Sequence, residues 1–317
     1  MHGPLSSFIR QHLELRRSLG FTLHNAELAL NEFDRYLARE FPEVQTVTRA
    51  MVMGYLRTLG HVQVATLHER LTHLRQFCRF LFRLNPETYL PERGLLPPRH
   101  TTRKAHVYTE EEAKGLIRAA LNLEPQGSLR PHTYATLLSL LWVSGIRIGE
   151  ALRLNLEDVD NERMLLHVRE SKFFKSRLVP LARSSVEALE TYRRRRSTYG
   201  HDERSEAPFF VNEWGRRCSH VTVGHAFPVL AQQTGLKTVQ GLVPRLHDFR
   251  HAFATRYLDR VYRTGKNPGA ALPVLATYLG HANITYTETY LHPSFSLLEK
   301  AGQQFLEYLR GGVHEGE

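Results

Sequence analysis

The stretch Leu279-Gly280-His281, followed nine positions later by Tyr290-Leu291-His292, decides how this chain is interpreted. His247-Asp248-Phe249-Arg250-His251 lies upstream of it, and Ser144-Gly145-Ile146-Arg147-Ile148-Gly149-Glu150 lies much further upstream. Arginines, histidines and a tyrosine therefore recur at spaced points along one chain. These are the side chains needed for a tyrosine hydroxyl to attack a phosphodiester, because cleavage of that bond depends on stabilising charge at the phosphate.

The composition bounds the fold and the partner. A length of 317 residues favours two domains, and 42% hydrophobic with 23% charged residues is typical of a soluble globular protein. No apolar run approaches the ~20 residues that span a bilayer. Residues 1–5 show no signal-peptide pattern, and Cys78 and Cys218 form no metal or disulfide framework, so we expect a cytoplasmic, nucleoid-associated protein.

The net charge is +10 and the sequence pI is about 9.7. A basic excess of this size favours a polyanionic partner such as DNA. A basic surface that binds nothing remains an alternative at this point.

The first part of the chain has a helical pattern. Apolar residues fall at helical spacing across residues 4–85, beginning with Leu5, Ile9 and Leu13, which predicts four or five helices and no strands. Residues 91–106 then bring three prolines, one glycine and four Arg or Lys residues, which predicts an extended basic linker. Its candidate DNA-binding residues are Arg99, Arg103 and Lys104.

The second part mixes helices with a small sheet. Thr109 begins a capping box with Glu112, and Ser144-Gly145 ends an apolar helix. Three strands are predicted at 156–159, 164–168 and 177–181, with a hairpin tip at 170–176. Helices are predicted from Ser184 to the run Arg193–Arg196, then at 219–233, 246–263, 270–279, 284–291 and 296–309. The four consecutive arginines are either a solvated helix end or a DNA contact.

Two arginines are the candidates for binding a phosphate. Arg147 and Arg250 each lie in an otherwise apolar setting, and a guanidinium can bind two phosphate oxygens at once. Glu150 follows Arg147 by three residues on the same helix face. It either orients the Arg147 guanidinium or forms a simple surface pair.

The remaining chemistry requires a nucleophile, a base and an acid. Tyr290 is the candidate nucleophile, with Tyr286 nearby on a similar face. His247 is placed to take the tyrosine proton, and the leaving sugar oxygen needs a general acid. Lys172 at the hairpin tip fits that role, although spacing alone does not separate it from Lys175. The other two histidines are His281, which could donate to a phosphate oxygen, and His251, which fits a structural or supporting role.

Taken together, these motifs resemble the tyrosine recombinases, also called the phage-integrase family. The resemblance covers about residues 107–310 and rests on the motifs around Arg147, Lys172, Arg250, His281 and Tyr290 in this order. It implies that Tyr290 forms a 3′-phosphotyrosine and that Arg147, Arg250 and His281 stabilise the phosphate. Lys172 would protonate the leaving 5′-oxygen and His247 would act as the base. Neither a metal nor another cofactor is implied.

The resemblance also implies an architecture. The fold would be mainly α with a small antiparallel β-sheet: a helical, SAM-like core-binding domain at 1–90, the linker at 91–106, an α+β catalytic domain at 107–295, and a C-terminal helix and tail at 296–317. Lys175 and Arg177 would join the linker residues in binding double-stranded DNA. The family acts as a dimer on each site and a tetramer in the synapse, exchanging C-terminal helices, sometimes with sister recombinases or accessory proteins.

Two departures and two rival functions accompany the resemblance. Phe173 and Phe174 follow Lys172 where glycines are common, and the long segment 262–279 looks like the transposon branch of the family. A type IB topoisomerase would share the chemistry without synapsis. A DNA-binding paralogue that does not cut is the second rival.

Overall fold

The computed structural model of the chain describes residues 3–21, 23–98, 103–169, 176–280 and Thr287. These residues group into two compact units, one before residue 99 and one from residue 103 onward. Each unit has its own hydrophobic core. Among the described helices, none combines the length and the apolar character that crossing a membrane requires.

The first unit contains four helices and no strand among its described residues, as the apolar spacing predicts. Its helices are α1 (Ser6–Ser18), α2 (His24–Glu40), α3 (Arg49–Thr58) and α4 (Val64–Phe82). They enclose a core that includes the fully buried side chains of Leu5, Phe33, Leu37 and Phe77.

The start of the predicted linker lies against this first unit. Arg75 on α4 donates from Nε to the carbonyl of Pro91 at 2.8 Å and from Nη2 to that of Glu92 at 2.6 Å. Leu95 and Leu96 pack against the same core. The first residues of the predicted 91–106 linker therefore pack with the first unit.

The second unit contains seven helices among its described residues. They are α5 (Glu110–Leu121), α6 (Arg130–Ser144), α7 (Ile148–Arg153), α8 (Arg183–Thr198), α9 (His220–Gln233), α10 (Asp248–Arg263) and α11 (Pro268–Leu279). The Thr109 hydroxyl accepts from the Glu112 N–H at 3.1 Å, and the Glu112 carboxylate accepts from the Thr109 N–H at 2.9 Å, which confirms the capping box.

A three-stranded antiparallel sheet accompanies these helices, in the order β1 (Val159–Asp160), β2 (Leu165–Val168) and β3 (Arg177–Pro180). The predicted start of the first strand was wrong. Leu156–Asp158 is a short 3-10 helix, because the Asp158 carboxylate folds back to accept the Asn155 N–H at 2.8 Å.

Helix α8 also corrects the sequence interpretation. It begins at Arg183 with Ala182 as its N-cap, so Ser184 lies inside the helix. At its other end Arg196 is fully buried and donates to the Glu203 carboxylate at 3.1 Å and to the Asp202 carbonyl. One of the four consecutive arginines is therefore a structural residue.

Two helix ends position the candidate site. Gly145 ends α6 with φ +61° and Gly280 ends α11 with φ +68°, a left-handed conformation that favours glycine. Added to Gly145, a Cβ atom would lie 2.6 Å from the Phe253 ring. Phe253 in turn stacks on Tyr278 with ring centroids 5.3 Å apart, so α10 carries the packing between the two helix ends.

Candidate active site

The C-terminal end of α11 is where three arginines meet. The carbonyl of Tyr278 accepts from Arg177 Nε at 2.7 Å, that of Leu279 from Arg250 Nη2 at 2.5 Å, and that of Gly280 from Arg147 Nη2 at 3.2 Å. The last carbonyls of a helix have no partners within it and carry the negative end of the helix dipole. Three consecutive carbonyls therefore gather three guanidinium groups immediately before His281.

Arg250 connects the two helix ends. Only 1% of its surface is exposed, and its Nη1 donates to the Gly145 carbonyl at 3.1 Å while Nη2 reaches Leu279. The guanidinium thus fixes the end of α6 to the end of α11. A charged group so deeply buried is retained only where it is hydrogen-bonded.

Arg147 is held from its own helix. Its backbone N–H donates to Glu150 Oε2 at 2.9 Å, and its Nη1 donates to Glu150 Oε1 at 2.7 Å. Glu150 is 3% exposed, which rules out the simple surface pair. The Arg147 side chain keeps 29% of its surface open. Glu150 therefore orients a guanidinium that remains accessible to a ligand.

Arg177 uses the same carboxylate. Its Nη1 donates to Glu150 Oε1 at 3.2 Å and its Nη2 to Oε2 at 2.8 Å. Burial alone raises the pKa of Glu150, but the hydrogen bonds and charge of Arg177, followed by those of Arg147, lower that pKa to about 2. The predicted direct DNA contact of Arg177 stays a prediction; in the structure its side chain is 11% exposed and donates to Glu150 and to the Tyr278 carbonyl.

His247 precedes α10 as its N-cap residue and stays open to solvent on part of its surface. Its ring lies 5.3 Å from that of His251, in an edge-to-face arrangement. Enclosure by surrounding protein atoms, then His251 and the nearby arginines, lower the pKa of His247 to about 4. His247 is therefore neutral near pH 7, the state that a proton acceptor requires. The pKa of the half-buried His251 is also lowered, chiefly by burial.

A second arginine–carboxylate pair was missed in the sequence. Asp248 is fully buried and accepts from the Arg245 N–H at 2.9 Å and from Arg245 Nη2 at 2.8 Å. The Arg245 carbonyl accepts from the Tyr108 hydroxyl at 3.0 Å. This pair repeats the arrangement of Arg147 and Glu150, since in both an arginine precedes a helix and a carboxylate follows three residues later. That spacing is the signal that could have revealed it.

The structure does not describe every predicted site residue. Outside the described residues lie Arg99, Lys172, Lys175, His281, Tyr286, Tyr290 and the helix predicted at 296–309. Of the DNA-binding candidates that are described, Arg103 and Lys104 are exposed. No cluster of three or more His, Cys, Asp or Glu side chains within the described ranges could hold a metal ion.

Comparison with known proteins identifies the family. The model of the phage integrase family matches residues 106–296, which is more than half of the chain. This chain belongs to the phage integrase family. Members of this family are the tyrosine recombinases, enzymes that break and rejoin DNA strands, so the resemblance seen in the sequence is confirmed.

Curated relatives extend the match to nearly the whole chain. "Putative integrase/recombinase y4rB" of Sinorhizobium fredii (strain NBRC 101917 / NGR234) is 35% identical over 92% of this chain and 94% of its own. Tyrosine recombinase XerC of Pelobacter propionicus (strain DSM 2379 / NBRC 103807 / OttBd1) is 28% identical over 91% and 90%.

Among solved structures, the Tn1549 transposon integrase in complex with transposon right-end DNA aligns with a TM-score of 0.64. It covers 94% of this chain and 98% of its own at 17% identity. At that identity the likeness establishes the fold, which is the mainly α architecture with a small antiparallel sheet.

Proposed function

We propose that this chain is a site-specific tyrosine recombinase that cleaves and rejoins DNA through a covalent 3′-phosphotyrosine formed by Tyr290. One observation carries the proposal. Arg147 and Arg250, from distant parts of the sequence, converge on the carbonyls directly before His281, and Glu150 orients the more accessible of them. A surface arginine pair without this function would not need a buried carboxylate beneath it.

The arginines would stabilise the phosphate. Charge builds on the non-bridging oxygens in the transition state, and pre-oriented guanidinium donors in a partly buried site stabilise it most strongly. Arg147 is accessible for such a contact, while Arg250 supplies charge from beneath the helix ends. His281 would add a third donor from the residue that follows Gly280.

The proton transfers complete the reaction. The Tyr290 oxygen forms a bond to phosphorus, the bond from phosphorus to the 5′-oxygen breaks, and neutral His247 takes the tyrosine proton. Lys172, or Lys175 in its place, gives a proton to the leaving 5′-oxygen. One phosphoester bond replaces another, so rejoining needs no ATP.

The biological role would be integration, excision or transposition of a mobile element. The names of the relatives, an integrase/recombinase and a transposon integrase, support this assignment. We further propose that both units contact duplex DNA, that a dimer occupies each site and a tetramer forms the synapse. Residues 296–317 would then exchange between protomers.

Trapping the covalent adduct tests the proposal. The purified protein is incubated with a fragment library of the replicon that carries its coding sequence, denatured in detergent, and the DNA attached to protein is sequenced. We expect one sequence class to be enriched, with protein on the 3′-phosphate and a free 5′-hydroxyl.

Matched tyrosine variants identify the nucleophile. Tyr290→Phe should abolish the adduct, while Tyr286→Phe should retain it. The reverse pattern would reassign the nucleophile, and an intact protein that forms no adduct would fit the non-cutting paralogue instead. Relaxation of any supercoiled plasmid without exchange between two copies of the recovered site would favour a topoisomerase.

A further inference from the structure

Arg177 on β3 makes hydrogen bonds to two other elements of the second unit. It is the first residue of β3 and lies on the same strand face as the buried Val179, because side chains two residues apart point to one side. From there its guanidinium reaches two other elements: the Glu150 carboxylate on α7 and the Tyr278 carbonyl at the end of α11.

We propose that Arg177 is a positioning residue that holds α7 and the end of α11 in the relation that aims Arg147 at the DNA phosphate. The inference rests on the proposed recombinase function. It replaces a direct phosphate contact for Arg177 with an indirect role through Glu150.

The shared carboxylate explains how this positioning works. Each Glu150 oxygen accepts from Arg177, and each also accepts from Arg147, through the side chain at Oε1 and the backbone at Oε2. Arg177 therefore limits how far the carboxylate can turn toward Arg147. Without Arg177, the Glu150 carboxylate would be held by Arg147 alone, and the direction of the Arg147 guanidinium would be set less tightly.

The contact with α11 adds a second constraint. Arg177 Nε donates to Tyr278, two residues before Gly280, whose own carbonyl accepts from Arg147. A Cβ atom at Gly280 would lie 2.9 Å from Arg177 Nη1, so the helix end and the guanidinium are in close contact. One side chain thus sets both the carboxylate and the carbonyl that Arg147 uses.

Arginine is needed for this arrangement. A guanidinium presents five donors in a rigid plane, whereas a lysine ammonium is a compact charge on a flexible stem. Lysine at this position could pair with Glu150 but could not also fix Tyr278 with the same geometry. We expect Arg177→Lys to keep the fold and to restore only part of the activity.

The test separates DNA binding from chemistry. Single-turnover cleavage of the recovered site, at saturating protein, is compared for the wild type, Arg177→Met and Arg177→Lys, with DNA affinity measured at several salt concentrations. Arg183→Met is the matched control, because Arg183 also pairs with a glutamate but is 87% exposed on α8.

We expect Arg177→Met to slow cleavage by about 10- to 100-fold, as misplacement of a catalytic group does, while DNA affinity changes by less than about twofold. The cleavage rate of Arg177→Lys should lie between those of the wild type and Arg177→Met, and that of Arg183→Met should match the wild type. If Arg177→Met instead weakens DNA affinity, and the slope of log affinity against log salt falls by the amount expected for about one phosphate contact, the proposal is overturned in favour of direct DNA binding.

A double variant tests the route through Glu150. If Arg177 acts through that carboxylate, combining Arg177→Met with Glu150→Gln should slow cleavage little more than Glu150→Gln alone. If the two substitutions instead slow cleavage by independent factors that multiply in the double variant, the proposal is overturned. The double variant removes the Arg177 cation together with the buried Glu150 carboxylate, so the net charge of the site is unchanged, and it serves if Arg177→Met alone is poorly folded.

Hydrogen exchange on the DNA-free protein gives a measurement that does not depend on activity. Amides of α7 and of the last turn of α11 should exchange faster in Arg177→Met than in Arg183→Met, and equal rates would overturn the proposal. A wild type that forms no adduct would refute the recombinase function alone, since the exchange result would still report on the positioning.

Discussion

Replacing Glu150 by glutamine should destabilise the second unit by about 3 kcal/mol at pH 7. The Glu150 carboxyl has a pKa lowered from 4.5 to about 2, and at roughly 1.4 kcal/mol per pH unit this difference corresponds to about 3 kcal/mol. Glu150 is 3% exposed, so solvent screens its interactions little. Glutamine keeps the shape but leaves Arg147 and Arg177 without their anionic partner.

The pH dependence of this loss has a definite sign. A carboxyl whose pKa is lower in the folded state contributes its full stability above the unfolded pKa of 4.5 and loses that contribution as the pH falls toward 2. The difference in the free energy of unfolding between the wild type and Glu150→Gln should therefore shrink from about 3 kcal/mol at pH 7 to roughly 1 kcal/mol at pH 3.

Tryptophan fluorescence provides the assay. The chain has two tryptophans, Trp142 and Trp214, and both lie in the second unit, so urea unfolding followed by their emission reports on that unit. Glu187→Gln is the matched control, because its pair with Arg183 is exposed and should contribute less than about 1 kcal/mol. A loss below about 1 kcal/mol at pH 7, or one that does not shrink in acid, would refute the reasoning.

Three further outcomes follow from the described residues. In the same fluorescence assay, Gly280→Ala should lower the free energy of unfolding of the second unit by about 1 kcal/mol or more in excess of the loss caused by Gly235→Ala. Both glycines have a left-handed backbone, but of the two only Gly280 has a neighbour, Arg177, where the new Cβ atom would lie. Lys104→Gln should lower the salt slope of DNA affinity by about 0.9, measured by titration at several salt concentrations, if this exposed lysine contacts one phosphate. Protonation of His247 should not lower the rate of adduct formation between pH 6 and 8, because the pKa of that ring is lowered to about 4. An inflection in the pH–rate profile between pH 6 and 8 that disappears in His247→Asn would contradict this.

Much of the fold could be predicted because local chemistry determines it. The Thr109 capping box, the helix end at Gly145 and the β2–β3 hairpin follow from caps, left-handed glycine and strand alternation. Arg147 and Glu150 could be paired for the same reason, since their spacing puts them together on one helix turn.

The burial and hydrogen-bond partners of Arg177 and Arg196 could not be predicted, because they depend on which face of the strand or helix meets the core. In β3 the leucine at 178 is 55% exposed and the valine at 179 is buried, so hydrophobicity does not reveal that Arg177 points inward. In α8 only the helix phase decides that Arg196 is buried while Arg195 stays exposed. A basic residue in a basic protein suggests a DNA contact until its hydrogen-bond acceptor is known.

The end of α11 gives a physical reason why the site uses arginines. The guanidiniums of Arg147 and Arg250 are hydrogen-bonded to carbonyls that carry partial negative charge. The fold therefore orients both guanidiniums and buries that of Arg250, whereas that of Arg147 stays accessible. A phosphate bears a full negative charge and competes well with a carbonyl for guanidinium donors. The helix end thus acts as a template that stabilises the arginine arrangement, and in the proposed reaction binding of the DNA phosphate would require little further reorganisation of these charges.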